Sequence, residues 1–244
     1  MKTALYGRIV FGGSAALFGA IALMWHDADT WQSVHRILRL PSGTFIGNAL
    51  MIALIAGGIG MLFPRTLRAA SNVLLVVYGL FALACIPGIV AAPRVFGEYD
   101  GFSEQLCLFC GALALYAITS ASAAQSRTLR LVARIGLGLC TISFTLAQIV
   151  YEGVTASLVP KWIPPNQTFW VIFTTVAFAL AAVAMLVNVR ARRAMRLMAA
   201  MLTVFGVLVW IPLLVAHPEV HGNWSEFALN FLIAGATLMV ADAL

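Results

Sequence analysis

Eight long apolar runs, each closed by a polar connection, leave this chain few folds to choose from. They fall at Leu5–Trp25, Thr44–Phe63, Ala69–Ala91, Glu104–Ala124, Leu131–Tyr151, Thr168–Asn188, Arg196–Ala216 and Ser225–Ala243. A bilayer core is crossed by about 20 residues of helix. In lipid the backbone must satisfy its own polar groups, which leaves helices or closed barrels, and these runs are too long for barrel strands. The expected fold is therefore an all-α integral membrane protein of eight transmembrane helices. Composition agrees: 62% of the residues are hydrophobic and only 10% charged, against about 25% charged in a soluble domain. The first run is long and lacks a clean small-residue cleavage site, so it reads as a retained span rather than a leader.

Basic residues set the expected orientation. Lys2, Arg8, Arg65, Arg68, Arg127, Arg130, Arg134, Arg190, Arg192, Arg193 and Arg196 sit at the N-terminus and around the connections after spans two, four and six. The alternate connections hold only Arg36, Arg39, Arg94 and Lys161. The positive-inside rule then places both termini in the cytoplasm, and a bacterial inner membrane is the expected setting, with membrane lipids as partners. The net charge of +6 is a topology signal that anionic headgroups would reinforce. No basic patch interleaved with aromatics points to nucleic acid. Every acidic residue but Asp242 falls on the other, outer face, as do all four histidines.

The halves look like copies. "LPSGTF" at 40 to 45 recurs as "IPPNQTF" from 163, "GML" at 60 as "AML" at 184, and "CIPGIVAAP" at 85 as "WIPLLVAHP" at 210. Ser103-Glu104 matches Ser225-Glu226, and Arg8 matches Arg134, all at spacings of 122 to 126 residues. Four spans per copy put both halves in the membrane the same way up, a parallel repeat. The expected architecture is two four-helix repeats side by side, residues 1–126 and 127–244. Pro87 and Pro212 are expected to kink the third and seventh helices.

The string "LVPKWIPPNQTFWVIFTTVAFALAAVAML", with "HPEVHGNWSEFALNFLIAGATLMVAD" after a basic loop, resembles the DoxX-like family of four-helix membrane proteins. The second half covers that pattern and the first half resembles it more weakly, so the chain is similar to a tandem DoxX-like protein. That family includes the membrane subunit of thiosulfate:quinone oxidoreductase, and also an acetylcholine-receptor chaperone with no shown catalysis. The resemblance implies quinone as a cofactor and a partner membrane or periplasmic subunit. It transfers the fold more safely than the function.

Chemistry concentrates on the outer face. Cys107 and Cys110, three apart in "SEQLCLFC", are expected in the first two turns of the fourth helix, within the outer third of the bilayer. There an oxidising compartment permits a disulfide and the helix N-terminus favours a thiolate. Glu104 adds opposing charge on the same face, and the second copy has Leu229 and Leu232 at the matching places. The bland reading is two small buried hydrophobes. Zinc would need two further ligands that the neighbouring sequence does not offer; no metal ligand set is assigned. Cys85 is a candidate relay to the pair, and Cys140 is assigned to packing.

Glu104 and Glu226 each follow a serine suited to cap a helix. Beyond capping, Glu226 with Trp224, His217 and His221 would ring the mouth of the second bundle, with Glu152 and His26 at equivalent interfacial positions. The leading functional expectation is a quinone-linked oxidoreductase component: Cys107 or Cys110 attacks an outer thiol or sulfur donor, and Glu226 and His217 handle protons. Trp224, His221, Glu104, Glu152 and His26 would face the quinone. The alternatives are a non-catalytic assembly or accessory subunit and a small-molecule transporter. The transporter reading suffers from the lack of any charged group deep in a predicted span.

Overall fold

The computed structural model describes residues 5–25 and 32–244. In chain order its helices are α1 (Leu5–Trp25), the short α2 (Gln32–Leu38), α3 (Gly43–Gly60), α4 (Leu67–Ala91), α5 (Phe96–Thr119), α6 (Ala123–Val150), the short α7 (Glu152–Leu158), α8 (Gln167–Leu186), α9 (Ala191–Phe205), α10 (Ile211–Ala216) and α11 (His221–Ala243). A π turn at Gly206–Trp210 joins α9 to α10 into one span. The protein is an all-α membrane protein, with eight helices long and apolar enough to cross a bilayer. The short helices α2 and α7 lie at the end where the acidic residues gather, the acidic end. The connections holding Arg65, Arg127 and Arg190 form the arginine end.

Packing arranges the spans as two rings that share an edge. The first ring runs α1, α3, α4, α5, α11 and closes back on α1; the second runs α5, α6, α8, α9, α11 and closes back on α5. The two halves therefore interlock rather than standing side by side as separate bundles, because each half's last helix packs against both halves. Burial follows from this. In the most apolar window of α11, 72% of the residues are buried inside the protein, against 33% for the lipid-facing α3, α4 and α8. Small residues permit the shared edge. A Cβ placed on Gly111 would lie 2.6 Å from Cβ of Ala236, so α5 and α11 approach as closely as a glycine allows.

The fourth span starts eight residues earlier than its apolar run suggests, at Phe96 rather than Glu104. Its polar first turns are satisfied inside the protein: Glu98 forms an ion pair with Arg36, and Asp100 accepts from Ser143 Oγ at 3.3 Å. Three expectations change with that start. Ser103 and Ser225 lie within helices and are not caps; Ser103 Oγ donates back to Tyr99 O at 2.8 Å. Cys107 and Cys110 are the twelfth and fifteenth of the 24 residues of α5, at mid-helix rather than in the outer third. The register of the halves also moves. Ala92 and His217 share one backbone conformation before their helices (φ −134°, ψ 64° and φ −137°, ψ 65°), and so do Val95 and Val220. Tyr99 Oη donates to Pro93 O at 3.1 Å, and Trp224 Nε1 to Pro218 O at 2.9 Å. These pairs share an offset of 125, which sets Glu104 opposite Leu229, Glu226 opposite Gly101 and Glu98 opposite Asn223.

Pro87 and Pro212 do share that offset, yet their backbones differ. Pro87 sits within an unbroken α4, whereas Pro212 follows the π turn. A π turn inserts one residue into the helix and re-aims the side chains beside it.

Candidate functional site

Three helices bring polar groups to one place in the second ring. On α5, Asp100 and Glu104 are four apart and share a face. The same spacing pairs Glu226 with Asn230 on α11 and Phe144 with Gln148 on α6. All six line a cavity of about 400 Å³, within the ordinary range for small-molecule sites. Trp170, Phe178, Val209 and Ile233 supply much of its apolar wall, and α7 with the following loop contributes Leu158, Val159 and Ile163 at the acidic end. The π turn forms part of the wall through Leu208, Val209 and Trp210.

Glu104 lies roughly 12 Å along α5 from its start at the usual helical rise, and within electrostatic range of both Asp100 and Glu226. Among the described residues no Lys, Arg or His lines the cavity. The three carboxylates therefore meet in an apolar space with no positive side chain beside them. Burying such charge is costly unless something pairs with it.

Two amides join Tyr151, Thr155, Thr174 and the Trp210 indole in the polar lining, and each amide is held by one end only. Gln148, 9% exposed, accepts through Oε1 from Thr174 Oγ1 at 3.1 Å and Thr175 Oγ1 at 2.8 Å. Asn230, 8% exposed, donates through Nδ2 to Leu202 O at 2.8 Å. Gln148 Nε2 and Asn230 Oδ1 have no hydrogen-bond partner among the described residues, and both side chains line the cavity. As carboxylates, Asp100, Glu104 and Glu226 only accept hydrogen bonds. The site is thus rich in acceptors, with one free amide donor.

The structure gathers only part of the expected site. Glu104 and Glu226 line the cavity together, and Asp100 joins them. Cys107 and Cys110 are buried free thiols that do not line it. His217 is exposed in the loop before α11, 3.5 Å from Glu219. His221 is buried and stacks on Trp25 with ring centroids 4.7 Å apart, on the α1 side of α11. Trp224 is tied to Pro218, and Glu152 is exposed in the first turn of α7. His26 lies outside the described residues. Among the described residues, no group of three or more His, Cys, Asp or Glu could hold a metal ion.

Asp100, Gln148 and Asn230 were missed as site residues. The i,i+4 spacing of Asp100 and Glu104 was available as a signal, once α5 is carried upstream to Phe96. Comparison with protein-family models, curated proteins and solved structures finds no match. The resemblance to DoxX-like proteins therefore rests on the quoted strings alone.

Proposed function

We propose that this chain is a membrane carrier of small molecules that takes its solute into the second-ring cavity from the acidic, outer end. The carrying observation is that Asp100, Glu104 and Glu226 lie inside spanning helices and line a cavity of about 400 Å³. Ionisable groups within a membrane are expensive, and they mark solute, ion or proton paths. The earlier start of α5 carries Glu104 roughly 12 Å into its span, which lessens the weakness of the transport reading.

Thiol oxidation linked to quinone is less well supported. Cys107 and Cys110 are sealed at mid-helix, away from the cavity, and no thiol is presented to an outer donor. An accessory subunit would use its lipid-facing surface and has no need of intramembrane carboxylates.

The test is a thermal-shift screen of amphiphilic solutes on the purified chain, repeated on Glu104→Gln and Glu226→Gln. A carrier should give solutes that raise the melting temperature of the wild type and lose that effect in both variants. Solutes that stabilise all three proteins equally would remove the cavity from the reading.

A further inference from the structure

We infer that the solute of this cavity is a lipophilic organic cation, an ammonium or guanidinium head on an apolar body. The inference rests on the carrier reading of the same cavity and names its substrate class.

Hydrogen-bond capacity comes first. The carboxylates of Glu104 and Glu226 and the free Oδ1 of Asn230 seek donors, and Asp100 already accepts from Ser143. The free donors on the wall are fewer than the acceptors: Gln148 Nε2, the Trp210 indole N–H and the Tyr151 hydroxyl. A ligand that completes this set must carry several N–H or O–H groups on its head. Gln148 and Asn230 are each more than nine-tenths buried, so their free ends are deep positions, where leaving a polar group unmatched is costly.

Charge narrows the class. With three acidic groups and no basic residue on the wall, a cationic head supplies the pairing that the groups would otherwise have to replace by taking up protons. A bare metal ion is the poorer candidate, because the acidic groups do not form a metal-ligating cluster. The faces of Phe144, Phe178 and Trp170 on the wall add cation–π attraction and an apolar bed for the body.

The first ring supplies an internal counterpart. There the chain provides its own amphiphilic cation. Arg36 from α2 forms an ion pair with Glu98 on α5 and donates to Cys85 O at 3.2 Å on α4. Gly88 leaves room for the pair, since any Cβ there would collide with both Arg36 and Glu98. In the second ring the positions matching Gly88 and Glu98 hold Leu213 and Asn223, and Lys161, which matches Arg36, is exposed and does not line the cavity.

Three probes on one naphthalene frame test the class: 1-naphthylmethylamine as the cation, 1-naphthylmethanol as its neutral isostere, and menadione as a quinone. Each is titrated calorimetrically into the purified full chain in detergent, and into a Glu104→Gln/Glu226→Gln double variant that controls for partition into micelles. The amine should bind wild type at least tenfold more tightly than the other two, and the double variant should lose at least tenfold for the amine alone. Equal binding of the alcohol or of menadione overturns the inference, as does a double variant that keeps the amine or a wild type that binds none of it. Two cavity-filling variants, Ala147→Trp and Val209→Trp, separate this from the carrier reading; whichever elutes as a single species is used. If filling abolishes binding of every probe, the cavity stands as the site whatever its charge preference. Binding that survives filling unchanged removes the cavity, and the cation with it.

Discussion

At the acidic end of the first ring, α2 leans across onto both α3 and α4, and Arg36 reaches Glu98 on α5. At the same end of the second ring, α7 stays beside α6 and α8 and has no comparable contact with α9 or α10. The ring beneath it holds the cavity. Gly88 makes space for an ion pair in one half, and Leu213 occupies that place in the other. The α4 backbone is regular through Pro87, while the span carrying Pro212 widens into a π turn that shapes the cavity wall. One frame thus has two uses. Where the chain supplies its own cation the end is locked, and where it supplies only carboxylates a space is left for a ligand.

The comparison depends on the shared edge, so breaking that edge should have the largest effect. Gly111→Leu places a branched side chain where a Cβ alone would already stand 2.6 Å from Ala236. Overpacking against a neighbouring helix should cost about 3 kcal/mol or more, and the variant should fail to give a single species on size exclusion. Gly13→Leu is the control, since a Cβ there meets nothing within 4 Å. A well-folded Gly111→Leu protein would show that the rings do not depend on the close approach of α5 and α11.

Next in size is the lock itself. The side chains of Arg36 and Glu98 are 23% and 17% exposed, and removing one partner strands the other in a mostly buried place. Arg36→Met should destabilise by about 2–3 kcal/mol, somewhat below the value for a fully buried pair. Thermal unfolding in detergent checks this, and the double variant Arg36→Met/Glu98→Leu should recover most of the loss. If Arg36→Met melts like wild type, α2 is not held by the pair. The reciprocal change sharpens the contrast. Leu158→Arg puts a guanidinium on α7, at the cavity lining. It should weaken binding of 1-naphthylmethylamine by about tenfold, which corresponds to roughly 1.4 kcal/mol, and leave the fold intact. Unchanged amine binding would mean that an endogenous cation does not compete for the site.

Much of this frame was legible because span-length apolar runs admit few alternatives. All eight spans emerged, six of them beginning within five residues of their expected starts and the fourth and fifth each eight residues earlier. The fourth misled for a physical reason. Glu98 and Asp100 look like residues of a water-exposed connection, and only their tertiary partners Arg36 and Ser143 make their place in a helix affordable. That misplaced start hid the site, since Asp100 and Glu104 share a helical face only when α5 begins before them. The short α2 and α7 carry too little periodicity to be seen. The π turn has no local signature beyond Gly206, whose Cβ would collide with the Phe231 ring, and the nearby Pro212. The matched motifs pointed to a repeat, but the serine–glutamate pairs set its register three residues away from the one shared by the helix starts.

The smallest expected effects belong to the thiols that first drew attention. Cys107 and Cys110 are 0% and 2% exposed, and a Cβ on Gly136 would come within 2.6 Å of Cys110 Sγ. That thiol fills a space shaped to it, as free cysteines commonly do. At the same heights on α11 the second half has Leu232 and Gly235. Replacing either cysteine with alanine should cost about 1 kcal/mol of packing and leave amine binding untouched. Serine should be tolerated nearly as well. A hydroxyl within a helix can donate to the carbonyl four residues before it, as Thr141 Oγ1 does to Leu137 O and Thr237 Oγ1 to Ile233 O, both at 2.8 Å. Leucine at position 110 should be the damaging change, because it must displace α6 at Gly136. A maleimide reagent should label neither thiol in the folded protein and both after unfolding in dodecyl sulfate. Rapid labelling of Cys107 in the folded state would mean that α5 opens toward the acidic end, and the thiol-relay reading would then regain the access that burial denies it.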